Sequence, residues 1–485
     1  MIRRPALASV PKRVLSLLIL ALTLSAMVAV VSGLLGVAGP AAQPIRIGAV
    51  FPSVPNAAGL ADAEREGVRI AARFVNADGG VNGRPIELVE RNLDARDQAP
   101  SVMADLAAQG VSVVIGAYSS DLSIAASAAA SSAGLLYWEA GAVADQLTGR
   151  GLPLVFRVGT NGSTLGTNSA AFAAQQLAPR LDKSPGQLRV AIVVAEDAYA
   201  TSVADAAART ASADGLNVVA QIPYNLAVPR WPDVMAALRA ARPDAIILAS
   251  HVPDGVAFRQ AMLAANLKVG ALIGSTMAEC DPDFAGDLGA DAIGIFASDR
   301  PTAGFRPDAL DPAARATYDR FAAAWSAASG GGPAWTSVPA TSAGTWSAPS
   351  SGPSEAPASW ATPTSGDDGY DLIGPAESAP ASATEEALSG FSAGWALFHD
   401  VLPTATPASG GLDAPQVAAA ARSVDLPSGS LPNGAGLRFS SDPASLGQNE
   451  RAAAVIWQWQ AVKQYAFVWP PSYATGPIID VPLTR

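Results

Sequence analysis

Residues 110–127, GVSVVIGAYSSDLSIAAS, set an apolar run, a small-residue turn and an alanine-rich run in direct succession. Residues 111–115 read as a buried strand, Gly116-Ala117-Tyr118 as a turn, and Ser119-Ser120-Asp121 as the opening of a helix over 122–132. A strand that passes straight into a helix is the repeating unit of a parallel sheet, because parallel neighbours need a crossover between them. The two hydroxyls at the handover have two readings. Serine caps a helix by accepting from the orphan amides of its first turn. Those amides and the helix dipole also favour an anionic ligand group, and one serine can cap while the other binds.

The same unit repeats outward from that stretch. Residues 45–51, 86–92 and 135–138 read as strands, and 61–76 and 99–109 as helices, with Val68, Ile70, Ala71 and Phe74 spaced for a buried face. A second series starts near Phe156. It places strands at 188–195, 217–222, 244–250 and 270–274, and helices at 164–176, 202–214, 231–241 and 256–265. Between 329 and 366 the chain turns to Ser, Thr, Pro, Gly and Ala, with Trp335, Trp346 and Trp360 and the single charge Glu355. Such a composition cannot offset its ordering entropy and predicts a disordered insertion. Helices resume at 385–402 and 414–423, and 453–459 and 464–469 read as closing strands. Two βα series of similar size predict an α/β protein of two Rossmann-like lobes with parallel sheets, ligands gathering at the carboxyl ends of the strands.

Composition narrows the function. A net charge of −11 and a pI near 4.7 argue against a nucleic-acid surface. One cysteine, Cys280, excludes an internal disulfide, and with only His251 and His399 no histidine or cysteine metal site is expected. Cys280 itself reads as a small packing residue. No Gly-x-Ser-x-Gly, Walker-type or His-Glu-x-x-His motif occurs, so neither an enzyme nor a cofactor is expected. Arg3, Arg4, Lys12 and Arg13 precede an uncharged run over 14–39 and then Pro40-Ala-Ala-Gln43, the pattern of an export signal. The run is also long enough to remain as a membrane anchor. No cysteine follows it, so a lipid-modified N-terminal cysteine is excluded.

Three segments carry a family likeness: IRIGAVF at 45–51, GVRIAARFVN at 67–76 and GGVNGRPI at 79–86. In that order they resemble the type I periplasmic binding proteins, and within them the branched-chain amino-acid (Leu/Ile/Val-type) substrate-binding proteins of ABC transporters. Val155-Phe-Arg157, Ala198-Tyr199, Gly436-Leu-Arg-Phe439 and Val468-Trp-Pro470 extend the likeness, which spans about residues 44–476 around the insertion. It implies two lobes joined by three hinge crossovers, near Gly159, Ile293 and Arg451. The expected division is an export signal or anchor over 1–43, a first lobe over 44–158 and 293–450 with the insertion at 329–384, and a second lobe over 159–292 and 451–485.

The likeness also implies a site. Ser119 and Ser120 stand where the family's small hydroxyls hold a ligand carboxylate, with Tyr118 as a pocket wall or a packing residue. The next family contact, usually rich in Ser, Thr and Ala, here reads Tyr137-Trp138-Glu139-Ala140-Gly141-Ala142. Backbone groups of Ala140 and Ala142 can still reach a ligand, whereas Glu139, costly to bury alone, is expected to be exposed or to pair with a cationic ligand group. Tyr199 matches the tyrosine that closes over the ligand, His251 lies at a strand end near the cleft, and Glu279 stands where the family places an acid for an ammonium. The implied function is capture of a small polar solute, an amino acid or related amide, by an exported monomer that hands it to ABC permease subunits. The alternative is the ligand-sensing ectodomain of a signalling system built on the same fold.

Overall fold

The computed structural model describes residues 43–485 except 54, 276–281, 303, 329–335, 338–382, 408, 463 and 480–485. All but Gln43 of the expected export signal or anchor over 1–43, Glu279 with Cys280, and the three tryptophans of the insertion lie outside the described residues.

Strands β1 (Ile45–Phe51), β2 (Ile86–Asn92), β3 (Val113–Gly116), β4 (Leu136–Glu139) and β5 (Val155–Arg157) make one parallel sheet, in the order β2-β1-β3-β4-β5. Val113 to Gly116 and Leu136 to Glu139 are buried throughout, as strands covered on both faces must be. Register lines up Val50, Gly116, Glu139 and Arg157 across the carboxyl edge of this sheet.

The second sheet contains β6 (Arg189–Ala195), β7 (Asn217–Tyr224), β8 (Ala245–Ala249), β9 (Ala271–Ser275), β10 (Phe296–Asp299), β11 (Thr336–Ser337), β12 (Val455–Ala461) and β13 (Gln464–Trp469). Its order is β11-β13-β12-β10-β9-β8-β6-β7. From β7 to β10 it is parallel, and β12 and β13 join antiparallel. Two expectations change here. Phe296–Asp299 still pairs with β9 and β12, so the chain leaves this sheet after Asp299 and not near Ile293. Within the stretch read as a disordered insertion, Thr336 and Ser337 pair in parallel with Gln464 and Tyr465 as a short edge strand.

Helices Pro55–Ala77 and Glu385–Trp395 pack against each other beside the first sheet at a glycine seam. A Cβ on Gly67 would overlap the Ala387 carbonyl oxygen and come within 2.6 Å of the Phe391 nitrogen. One on Gly390 would overlap the Glu64 carbonyl oxygen. This backbone-to-backbone approach brings Glu64 of one helix beside Glu385 and Glu386 of the other.

The connections between the sheets are tied by side chains. Gln448 donates from Nε2 to the Gly159 carbonyl (3.0 Å), and Asn449 from Nδ2 to the Val158 carbonyl (2.9 Å), lacing the first crossover to the third. At the second crossover, Arg300 donates from Nη1 to the Gly141 carbonyl (2.6 Å) and its Nη2 forms an ion pair with Glu385.

Candidate functional site

The carboxyl edges of the two sheets meet through the loops that follow β3, β4, β6 and β8. Across them the Asp145 amide donates to Ser202 Oγ (3.0 Å), and the Asp121 carboxylate acts on the charge of His251.

On the first lobe, Ser119 caps the Ser120–Ser132 helix, its Oγ accepting from the Leu122 amide at 3.4 Å. Ser120 Oγ accepts from the Ala144 amide (3.1 Å) and so fastens the loop after β4 to the start of that helix. Tyr118 takes a left-handed backbone (φ 75°), which turns its ring inward. It is 7% exposed, and its hydroxyl has no hydrogen-bond partner among the described residues.

The segment after β4 is occupied with itself. Glu139 is fully buried, and its Oε1 accepts from the amides of Gly141 (2.9 Å) and Ala142 (2.7 Å). The side chain is therefore not exposed, and its loop satisfies Oε1, while Oε2 has no hydrogen-bond partner among the described residues. The carbonyls of that loop are engaged too, Gly141 by Arg300 and Ala142 by Arg157 Nη1 (3.2 Å). Arg157 is buried as well. It also donates to Gln448 Oε1 (2.6 Å), the Ala144 carbonyl (2.7 Å) and Thr148 Oγ1 (3.1 Å). Burial pulls its guanidinium down to about 10, against the pull of Asp145 and Glu139. Four backbone groups of residues 141 and 142 are thereby spent, and of the residues expected to offer backbone contacts Ala142 offers neither its amide nor its carbonyl freely.

On the second lobe, Asp197 caps the Ala198–Ala213 helix through Oδ1 to the Ala200 amide (2.8 Å), while Oδ2 meets His251 Nε2 at 2.5 Å. The Tyr199 hydroxyl lies 2.9 Å from the Ser250 carbonyl and 2.8 Å from that of Ser275, and its ring packs edge-on to His251. The Tyr199 hydroxyl is therefore committed to the ends of the β8 and β9 strands. Burial is the largest influence on His251 and opposes its charge, yet the Asp197 hydrogen bond and charge, with Asp254 and Asp121, carry it above the ordinary 6.5.

A group not foreseen in the sequence lies under the loops of the first lobe. Glu64 is fully buried, and among the described residues neither carboxylate oxygen has a hydrogen-bond partner. It fills the space beside Gly141 so closely that a Cβ there would come within 2.7 Å of its Cδ. Burial, then the charge of Glu139, holds its carboxyl well above the usual range. Glu386 is pushed up to about 7 by burial and by Glu385. Burial is also the largest influence on Arg300, and it opposes the charge. Glu385, Asp299, Glu386 and Glu64 outweigh it and make Arg300 more basic than usual. Glu64 could have been found by period alone. Ala61, Glu64, Val68, Ala71 and Val75 follow at three- and four-residue steps and all are buried or nearly so, which puts a carboxylate on the apolar stripe.

The family model described as "Periplasmic binding protein" matches residues 44–348. The chain belongs to the periplasmic binding protein family. Leu/Ile/Val-binding protein homolog 8 of Brucella abortus (strain 2308) is 28% identical over 418 residues, covering 86% of this chain and 88% of the relative. A putative branched-chain amino acid ABC transporter structure from Silicibacter pomeroyi covers 91% of this chain and 100% of its own, at a TM-score of 0.65 and 18% identity. A solute-binding protein from R. palustris, solved in complex with benzoate, covers 90% of this chain and 97% of its own, at a TM-score of 0.60 and 16% identity. The fold of this periplasmic binding protein is thus the two-lobed type I fold of the branched-chain amino-acid ABC substrate-binding proteins. Among its described residues no helix is long and apolar enough to cross a membrane.

Proposed function

We propose that this periplasmic binding protein is the extracytoplasmic solute receptor of an ABC importer, a monomer that closes its lobes on a small polar solute and performs no chemistry on it. The observation that carries this reading is the meeting of the two carboxyl edges. A helix start at Ser120 and the Tyr118 loop stand on one side, and the Tyr199 ring with the His251–Asp197 pair stands on the other. Closure of two lobes about a ligand is a hinge motion, and the three tied crossovers are where such a motion would be absorbed. The basic flank and apolar run at the N-terminus support export, and the permease would be the membrane partner.

The test is thermal unfolding against amino acids, small amides and carboxylates. A solute at about a hundred times its dissociation constant adds roughly 2.7 kcal/mol of stability, which moves the midpoint of a protein of this size by about 2–4 °C. The expected result is a shift with one solute class that is lost in Tyr199→Ala. A panel without any shift in the native chain would remove the solute-binding reading.

A further inference from the structure

Resting on that reading, we infer that the solute carries a cationic head beyond the α-ammonium that a neutral amino acid has, a guanidinium or a second ammonium, which is received by the Glu64 side chain within electrostatic reach of Tyr118. Two independent facts lead here. The first is charge. Glu64, Glu139, Asp299, Glu385 and Glu386 are each at most 5% exposed, and the cations that act on them are Arg300 and Arg157. Arg300 is committed to Glu385, Asp299 and the Gly141 carbonyl, and Arg157 to Gln448, Thr148 and two carbonyls. The second is satisfaction. Among the described residues, both Glu64 oxygens and the Tyr118 hydroxyl are buried polar atoms without hydrogen-bond partners, whereas Glu139 beside them lacks a partner only at Oε2, its Oε1 being held by two amides. Such groups are rare in a folded chain because each forfeits the bonds it had in water.

The location is that of a ligand contact. Glu64 abuts Gly141 in the loop after β4, and it lies within electrostatic reach of Tyr118 in the loop after β3. A cation arriving there neutralises a buried carboxylate directly and offers N–H donors to atoms that lack them, which is what a bound ammonium or guanidinium supplies. Among the described residues no group of three or more His, Cys, Asp or Glu side chains is placed to hold a metal ion, so an organic cation fits these acids better than a metal.

The experiment is calorimetric titration of the full chain with L-arginine, putrescine, L-leucine and acetamide. L-arginine or putrescine is expected to bind. Glu64→Gln should weaken that binding by about tenfold to a hundredfold. Tyr118→Phe removes only the unpartnered hydroxyl, so it should fold normally and weaken the cation more than leucine. Binding of leucine or acetamide alone would overturn the inference and leave the solute-receptor reading standing. Cation binding unchanged in both variants would overturn it as well. Silence toward all four probes would overturn both readings together.

Discussion

At the scale of single residues, Glu386 and His251 pull stability in one direction with pH. Glu386 titrates near 7 when folded against an ordinary 4.5, so between those values the folded chain holds more protons than the unfolded one and loses stability as the pH rises. His251 acts likewise in the adjoining range. Its protonated pairing with Asp197 contributes fully below 6.5 and is lost as the pH climbs through its raised folded value. The urea midpoint is therefore expected to fall as the pH rises from about 4.5 through 7, and to go on falling above 6.5 as His251 loses its proton. Glu386→Gln should flatten the lower part of that slope and His251→Asn the upper part. A profile that rises with pH would contradict both assignments. These residues also show what a sequence can and cannot reveal. Ser119 at a strand-to-helix handover is legible because a cap is a local bargain between neighbours in the chain. The fate of Glu139 was not legible. Two amides only two and three residues ahead hold its Oε1, and that depends on how the loop curls around Arg157, held in turn by Gln448 from the far end of the chain.

At the scale of elements, most strands and helices follow from the apolar period. The β8 sequence AIILA, fully buried, could hardly be read otherwise. The period does not reveal which helix meets which. The seam between Pro55–Ala77 and Glu385–Trp395 joins segments far apart in sequence, and it exists because Gly67 and Gly390 let two backbones touch. Its strength is testable. Gly67→Ala would gain about 0.5–1 kcal/mol from helix propensity in an open site. Here the methyl group meets the Ala387 carbonyl, so the expected outcome is a net loss of about 1–3 kcal/mol in urea unfolding. Full stability in the variant would mean that the helices stand further apart than described. β10 teaches the same lesson about boundaries. Its four residues continue the second sheet past the point where the family likeness put the return, because pairing with β9 and β12 outlasts the local signal.

At the scale of the molecule, one guanidinium joins distant parts of the chain. Arg157 sits where the first crossover leaves the sheet, and it holds the loop after β4 as well as Gln448 near the third crossover. Arg157→Met keeps the bulk of the side chain but strands the carbonyls of Ala142 and Ala144, for a loss of about 3 kcal/mol in unfolding free energy. Because the loop after β4 also faces the cleft, solute affinity should fall with it, whereas a change at the far edge of β7 should leave affinity alone. Gly141 carries a different consequence. Its missing side chain is the space that the Glu64 carboxyl occupies, so every other amino acid at 141 would expel that group. In a saturation-mutagenesis survey scored by solute capture, position 141 would therefore rank with direct contacts even if glycine never touches the solute. Only a paired change, a larger residue at 141 with a smaller one at 64, would separate a requirement for room from a requirement for charge.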